Sequence, residues 1–273
     1  MHEKKIAIVG LGFVGSAVAY GFHHPHIIQQ HIDPKLGNEI MDIDVGTDFV
    51  FVCVPTPMDD FSIVREVMEE ILSNDIGGTI ILKSTVPPNI LEEMTHPDVV
   101  YNPEFLTEKS AQEQFIDPPF HILGGADMAT EDVQLLYEHY SLCNPAPFLH
   151  MTMEEASLVK YTINSFLATK VTFFNQMFDL CSQFDANPSV VFNAVGMDDR
   201  IGFGHTKVPG FDSKRGFGGA CFPKDTKAIT EVAGEGVLSI IEEVIKTNNN
   251  YRSRYELDDR EKEQNIVYFP TEV

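Results

Sequence analysis

Residues 4–22 read KKIAIVGLGFVGSAVAYGF, an apolar strand that runs into a glycine turn and then into a helix of small residues. The apolar run is short enough for a buried strand, and the residues after the turn repeat at helical spacing, so the stretch is a βα unit. Gly10, Gly12 and Gly15 form GxGxxG at the joint. The first glycine permits the tight turn, the second lets backbone approach a pyrophosphate, and the third lets helix and strand pack closely. The pattern is weak alone, but its context is right, and Asp33 falls at the expected end of the next strand, QQHID. A carboxylate there accepts both ribose hydroxyls and repels a 2'-phosphate, so NAD is expected as the cofactor in preference to NADP. Lys35 is the one neighbour that weighs against this preference.

Further short apolar runs come next: DFVFVCVPTP, TIILKST, DVVYNPEF and FHILGG. Helical stretches separate most of them, at residues 62–73, 89–95 and 129–140. The alternation predicts an α/β fold, a parallel, doubly wound Rossmann-like sheet over residues 1–150. The pattern then changes. From Met153 to Phe184 there is neither Pro nor Gly, and apolar residues recur at helical spacing, which predicts one long helix. A shorter helix starts at Pro188, residues 196–221 read as loop, and two helices span about Lys224 to Glu235 and Val237 to Asn249. Residues 151–250 are therefore expected as an all-helical domain, and 251–273 as a charged tail.

A length of 273 residues suffices for two ordinary domains without staples. The N-terminus carries no cleavable leader pattern and no apolar run is long enough to span a bilayer, so a soluble cytoplasmic protein is expected. Four cysteines lie far apart without metal-ligand spacing, which suggests neither a disulfide framework nor zinc. The formal charge of -22 argues against nucleic acid or an anionic membrane as partner. HHPH at 23–26 lacks a carboxylate or cysteine at useful spacing, and no metal is expected.

Several residues carry candidate chemistry. GFGGACFPKD, 216–225, sets Cys221 after glycines and before Lys224 and Asp225: a reactive thiolate, or a small buried hydrophobe in a turn. Lys160 and Asn164 leave one face of the long helix, either as a solvated pair or as donors to an oxygen that gains charge. Glu104 and Glu108 come after a strand end, where doubly wound sheets gather their sites. Thr85 lies at another strand end, and Pro55 and Thr56 would border the cofactor.

VGLGFVG, CVPTP, KSTVPP, NPEFLTE, KYTINSFLATK, GMDDRIG and GFGGACFPKD occur in this order over about residues 4–250. In this the chain resembles the UDP-glucose/GDP-mannose dehydrogenase family of nucleotide-sugar 6-dehydrogenases. The resemblance implies NAD-dependent oxidation of a hexose C6 alcohol, taken twice at one carbon to the acid, with UDP-glucose as the first candidate and GDP-mannose or a UDP-N-acetylhexosamine as alternatives. Cys221 would be the covalent nucleophile, passing through a thiohemiacetal and a thioester. Lys160 and Asn164 would stabilise oxyanions, Asp225 would place or deprotonate water, Glu104 would act in hydrolysis, and Thr85 would assist with a water or proton. The cofactor would be bordered by Gly10, Gly12, Phe13, Val14, Gly15, Asp33, Val54, Pro55, Thr56, Thr85, Glu108 and Lys224. The sugar nucleotide would meet Glu104, Phe105, Leu106, Lys160, Asn164 and Gly218. Arg200 would reach the substrate of a partner subunit in a homodimer built on the long helix.

The departures from the pattern also carry expectations. Only 14 residues separate Asp33 from the DFVFVCV strand, and Ser157 stands where relatives often carry an acid. The second Rossmann-like domain that holds the nucleotide in relatives is not expected here. The grip on the nucleotide is therefore expected to be weak unless another polypeptide or the loop HTKVPGFDSKRG takes its place. Lys207, Lys214 and Arg215 would meet a diphosphate there, or would simply lie on a flexible solvated loop. A non-catalytic NAD-binding subunit is the reading from a different class, and the retained nucleophile argues against it.

Overall fold

In the computed structural model, residues 2–74 and 76–270 are described, apart from the side chain of Glu108. The chain divides into two compact units, Met1–Thr56 with Asp60–Lys160, and Pro57–Asp59 with Tyr161–Val273.

The first unit is a sheet of seven strands: β1 (Lys4–Val9), β2 (Ile27–Ile32), β3 (Phe49–Val52), β4 (Thr79–Leu82), β5 (Val99–Tyr101), β6 (His121–Gly125) and β7 (Phe148–Met151), in the order β2-β1-β3-β4-β5-β6-β7. Five helices join them: α1 (Phe13–Gly21), α2 (Ser62–Ser73), α3 (Pro88–Leu91), α4 (Ala111–Ile116) and α5 (Asp127–Tyr140). Alternation along the strands divides the core in two. Ala7, Val9, Val50, Val52, Ile80 and Leu82 pack with Val64 and Met68 of α2 and with Ile90 and Leu91 of α3. Ile6, Ile8, Phe49, Phe51, Ile81 and Val100 pack with Ala17 and Val18 of α1, Phe115 of α4 and Val133 of α5. Both faces are thus covered, as a βαβ sheet requires.

The expected parallel, doubly wound sheet is present, with one antiparallel pair in it. β5 and β6 are antiparallel, with Tyr101 opposite Gly124, whereas β6 and β7 run parallel. A strand buried on both faces is an apolar run whichever way it points, so FHILGG does not disclose its direction. β7 is a further strand that the sequence pattern does not announce, being four residues long and only half-buried.

His121 opens β6, and its ring stacks on Phe148 at 4.5 Å between centroids and 11° between planes. Burial, then the nearby Lys83 ammonium, pushes its imidazole down to about 4. The folded value lies below the unfolded one, so the unfolded chain binds the extra proton, and stability falls as pH drops from about 6.5 towards 4. The full difference is about 3 kcal/mol. Urea unfolding of His121→Phe is expected to show a flatter acid limb across that window, and an unchanged limb would contradict it.

The second unit is helical: the continuation of α6 (Met153–Gln183), then α7 (Pro188–Gly196), α8 (Phe222–Ala233), α9 (Ser239–Arg252) and α10 (Asp259–Glu263). Asn187 caps α7 by accepting the Ser189 N–H at 3.0 Å, with Pro188 in the first turn. Ala168 of α6, Phe217 and Val244 of α9 form a small core. The stretch after 250 is more than a charged tail: it carries α10 and buries Glu261 and Ile266. Charged residues are seldom fully buried unless paired, and here the partner is Arg252 at 2.5 Å.

Candidate functional site

In the first unit the glycine turn is built by close approach. Gly10 has φ +87, and a Cβ there would stand 2.8 Å from the Cys53 carbonyl oxygen. A Cβ on Gly15 would lie 1.9 Å from the Gly10 oxygen, whereas Gly12 faces open space. Gly12 caps α1 without any side-chain hydrogen bond, so the amides of the first turn, at Phe13 and Val14, are left for an anion. Asp33, after β2, accepts the Leu11 N–H on Oδ2 at 2.8 Å and the Lys35 N–H on Oδ1 at 2.9 Å. The Leu11 amide, then the Lys35 amide, hold its carboxyl below the usual range. It stays anionic, and each oxygen keeps a lone pair. These residues fit a dinucleotide: an open helix N-terminus for the pyrophosphate and an oriented carboxylate for a ribose. After β3, Val54 and Thr56 are buried and Pro55 is exposed. Ser84 Oγ donates to the Val54 oxygen at 2.7 Å, tying that turn to β4, and Thr85 beside it is buried.

The turn after β5 holds the second group. Glu104 is buried, and its Oε2 accepts the Leu106 N–H at 2.5 Å. Lys160 donates to the Glu104 carbonyl oxygen, lies 3.4 Å from Glu104 Oε1, and stands 5.1 Å from the Phe105 ring centre. The structure therefore brings Glu104, Phe105, Leu106 and Lys160 together. Ser157, one turn earlier on α6, donates to the Val86 oxygen at 2.8 Å. The Glu108 side chain lies outside the described residues.

Sequence reasoning missed Lys83. It is buried at the end of β4 and donates to the Asn102 oxygen at 3.0 Å and to Asn102 Oδ1 at 2.9 Å. Tyr137 Oη also donates to Asn102 Oδ1 at 2.8 Å, and Asn102 Nδ2 donates to the Ile122 oxygen at 2.8 Å. Burial pulls the Lys83 ammonium down to about 8, against the opposing influence of Cys53 and Glu104. Its only signal in the sequence is a lysine directly after the apolar run IIL.

In the second unit Cys221 is the N-cap of α8, half-buried, and its carbonyl oxygen accepts the Asp225 N–H at 2.9 Å. The helix N-terminus places partial positive charge there. One turn on, Asp225 is buried between two donors: Asn164 Nδ2 at 2.6 Å from Oδ2, and Lys224 Nζ at 2.6 Å from Oδ1. A carboxylate so held must receive the amide's NH₂ edge, which fixes how Asn164 is turned.

The loop cations have partners of their own within this unit. Arg215 donates to Asn175 Oδ1 and to Asp179 Oδ1, each at 2.7 Å, and lies 4.6 Å and 4.7 Å from the rings of Phe178 and Tyr251. Lys214 donates to the Glu256 oxygen at 2.6 Å. Both are tied to the protein's own groups. Lys207 lies 4.7 Å from the Phe211 ring centre. Arg200 has a side chain 88% exposed and pairs with Asp198 at 2.6 Å. Gly218 packs against Arg252, where a Cβ would stand 2.1 Å from Nη2.

Among the described residues, no helix is long and apolar enough to cross a membrane, and no group of three His, Cys, Asp or Glu could hold a metal ion.

Comparison with known proteins gives concordant matches. Residues 38–141 match the model for the UDP-glucose/GDP-mannose dehydrogenase family, NAD binding domain, and 154–250 match the central domain of the same family. The first match begins after the glycine turn and Asp33. A UDP-glucose 6-dehydrogenase of Rhizobium meliloti (strain 1021) is 35% identical over 228 residues, 75% of this chain and 51% of that protein. One from Bacillus subtilis (strain 168) is 32% identical over 235 residues, 79% of this chain and 49% of the other. The chain thus spans about half the length of the curated relatives it matches. Among solved structures, a UDP-glucose dehydrogenase from the hyperthermophilic archaeon Pyrobaculum islandicum superposes with a TM-score of 0.73 at 29% identity, covering 90% of this chain and 68% of that one.

Proposed function

The chain belongs to the UDP-glucose/GDP-mannose dehydrogenase family, and from that premise we propose that it oxidises the C6 alcohol of a nucleotide-linked hexose, UDP-glucose in particular, to the carboxylate. The observation that carries this reading is the Asn164, Asp225 and Lys224 clamp one helical turn beyond Cys221. A scaffold has no need of a buried, oriented carboxylate behind a thiol at a helix N-terminus.

NAD, when bound, would supply the acceptor for one hydride, so two NAD molecules in succession would take up the two. Gly12 and the first turn of α1 would take its pyrophosphate and Asp33 a ribose, and Val54, Pro55, Thr56, Glu108 and Lys224 are the further residues we propose for it. Cys221 as thiolate adds to the C6 aldehyde, forming the C–S bond of a thiohemiacetal and preventing escape of the aldehyde. Lys160 and Asn164 donate to the oxygen that gains charge, and Thr85 accepts or relays the alcohol proton. After the second oxidation the same bond is a thioester. Asp225 and Glu104 deprotonate or orient the water that attacks it, the C–S bond breaks, and the thiol is restored. Phe105, Leu106, Gly218 and Lys207 are the further residues we propose for binding the sugar nucleotide. We place the enzyme in the cytoplasm, where a thiol of this kind stays reduced.

The test is turnover with NAD and a panel of UDP-glucose, GDP-mannose and UDP-N-acetylhexosamines, followed by absorbance of the reduced cofactor. UDP-glucose is expected to give two reduced cofactors per sugar acid. Preference for another sugar nucleotide would move the substrate, and silence with all of them would leave a non-catalytic NAD-binding subunit. Calorimetry is expected to show tighter binding of NAD than of NADP, because Asp33 opposes the extra phosphate. Equal affinities would remove that role.

A second copy of the chain is proposed to cover α6. Phe166, Phe173 and Leu180 recur every seven residues along it, the first two 65% and 52% exposed, and Val190 of α7 and Met197 after it are exposed apolar side chains as well. A two-fold contact along this stripe fits a dimer in which Arg200 reaches the neighbouring substrate. Light scattering at micromolar concentration is expected to show a dimer that Phe173→Glu converts to monomer. A parent that is already monomeric would contradict this.

A further inference from the structure

The glycine loop before Cys221 rests on residues from α9 and α10. Asn248 brackets Phe217, its Oδ1 accepting the Phe217 N–H at 2.7 Å and its Nδ2 donating to the Phe217 oxygen at 3.0 Å. Glu261 Oε1 accepts the Gly219 N–H at 3.2 Å. The same carboxylate takes Arg252 Nη2 at 2.5 Å and Tyr268 Oη at 2.8 Å on Oε1, and the Asp258 N–H at 2.9 Å on Oε2. Arg252 Nη1 donates to Asp212 Oδ2 at 2.6 Å, on the incoming side of the loop. Glu261 and Arg252 have side chains 0% and 1% exposed.

The fit between this platform and the loop is close. A Cβ on Gly218 would stand 2.4 Å from Glu261 Oε1 as well as against Arg252, and one on Gly216 would stand 2.5 Å from Asn248 Oδ1. Gly216 and Gly219 both have φ +75, a backbone conformation that other residues rarely hold. Such a turn persists only where the surroundings over-determine it. Here the surroundings are a buried ion pair and a bracketing amide, and Cys221 stands two residues further on. Most of the platform lies after residue 250, beyond the stretch matched by the family's central-domain model.

We propose that the segment from Asp258 to Tyr268 buttresses the glycine loop, and that Glu261 and Arg252 are positioning residues for Cys221. The proposal rests on the reading of Cys221 as the nucleophile. Glu261 acts through the Gly219 amide and through Arg252, which fills the space left by Gly218. Neither side chain has an exposed edge with which to meet a substrate, so their part in turnover is to fix where the thiol stands. Breaking a buried pair on one side leaves an uncompensated charge, so the informative change removes both charges together.

The test reads the loop directly, in the full chain. Arg252→Met combined with Glu261→Met is expected to speed hydrogen exchange at the Phe217 and Gly219 amides by at least about tenfold, by freeing the loop to open locally. Alkylation of Cys221 by iodoacetamide, read by peptide mass relative to Cys181 on α6 in the same sample, is expected to rise about threefold as the loop loosens. General loosening of the unit would raise both cysteines and leave the ratio unchanged. Should the double variant fail to fold, Tyr268→Phe decides, since it removes one donor to Glu261 and leaves both charges in place; the ratio is then expected to rise about twofold. An unchanged or lower ratio with unchanged exchange overturns the buttress, whether or not the parent makes sugar acid. A raised ratio with faster exchange upholds the buttress, even if the parent oxidises no sugar nucleotide and the nucleophile reading falls.

Discussion

Cys221→Ser is expected to stop release of the sugar acid, with a loss on the order of a thousandfold or more, while the fold and NAD binding survive. A serine hydroxyl is nearly the size of a thiol but is far less acidic, so at neutral pH the helix N-terminus has almost no alkoxide to act with. An ester to serine would also surrender its alcohol less readily than a thioester surrenders its thiol. The N-cap position tolerates the change, since serine is a preferred cap. Circular dichroism should therefore match the parent while chromatography finds no acid. Acid at the parent rate would show that no bond to Cys221 is needed.

Asp225→Asn is expected to lower turnover about 10²- to 10⁴-fold, the range associated with loss of a positioned acid–base group. The side chain keeps its size, but its hydrogen-bonding character inverts on one edge. Asn164 Nδ2 and Lys224 Nζ both point donors at it from 2.6 Å. An amide in that place meets one of them donor to donor, which turns Asn164 or strands the lysine charge. Both chemistry and orientation suffer, so the fall should be chiefly in kcat. Normal kcat with a raised KM would make Asp225 a substrate contact instead.

Much of the first unit is legible in the sequence because local rules and global packing agree there. The glycine turn, α2 and the long helix each show in a single window of sequence. The direction of β6 does not, because reversing a fully buried strand changes no residue's burial. The chemistry divides in the same way. Lys224 and Asp225 are adjacent, so their pairing is local, whereas Asn164 lies 61 residues away and its contact is a product of the fold. Lys160 can be singled out by its spacing, but its seat on the Glu104 turn cannot. Lys83, Arg252 and Glu261 show the reverse failing. Their charge reads as exposure, and their burial is tolerable because the fold brings them partners, Asn102 for Lys83 and Glu261 for Arg252. The seat of Arg215 is equally hidden, since nothing near it in the sequence announces Asn175 and Asp179.

The seat of Arg215 also bears on how portable the cysteine loop is. Its guanidinium is flanked by the rings of Phe178 and Tyr251 while two side chains of α6 receive its N–H groups. Lysine could keep the charge there, but not the flat fork that stacks and binds at once. An engineer who transplanted residues 207–225 into another dehydrogenase scaffold would carry the thiol and leave its moorings behind. The smallest module that travels intact includes Asn175, Phe178 and Asp179 from one helix and Asn248, Tyr251 and Arg252 from another, so the unit of inheritance for this chemistry is a three-dimensional patch and not a contiguous motif.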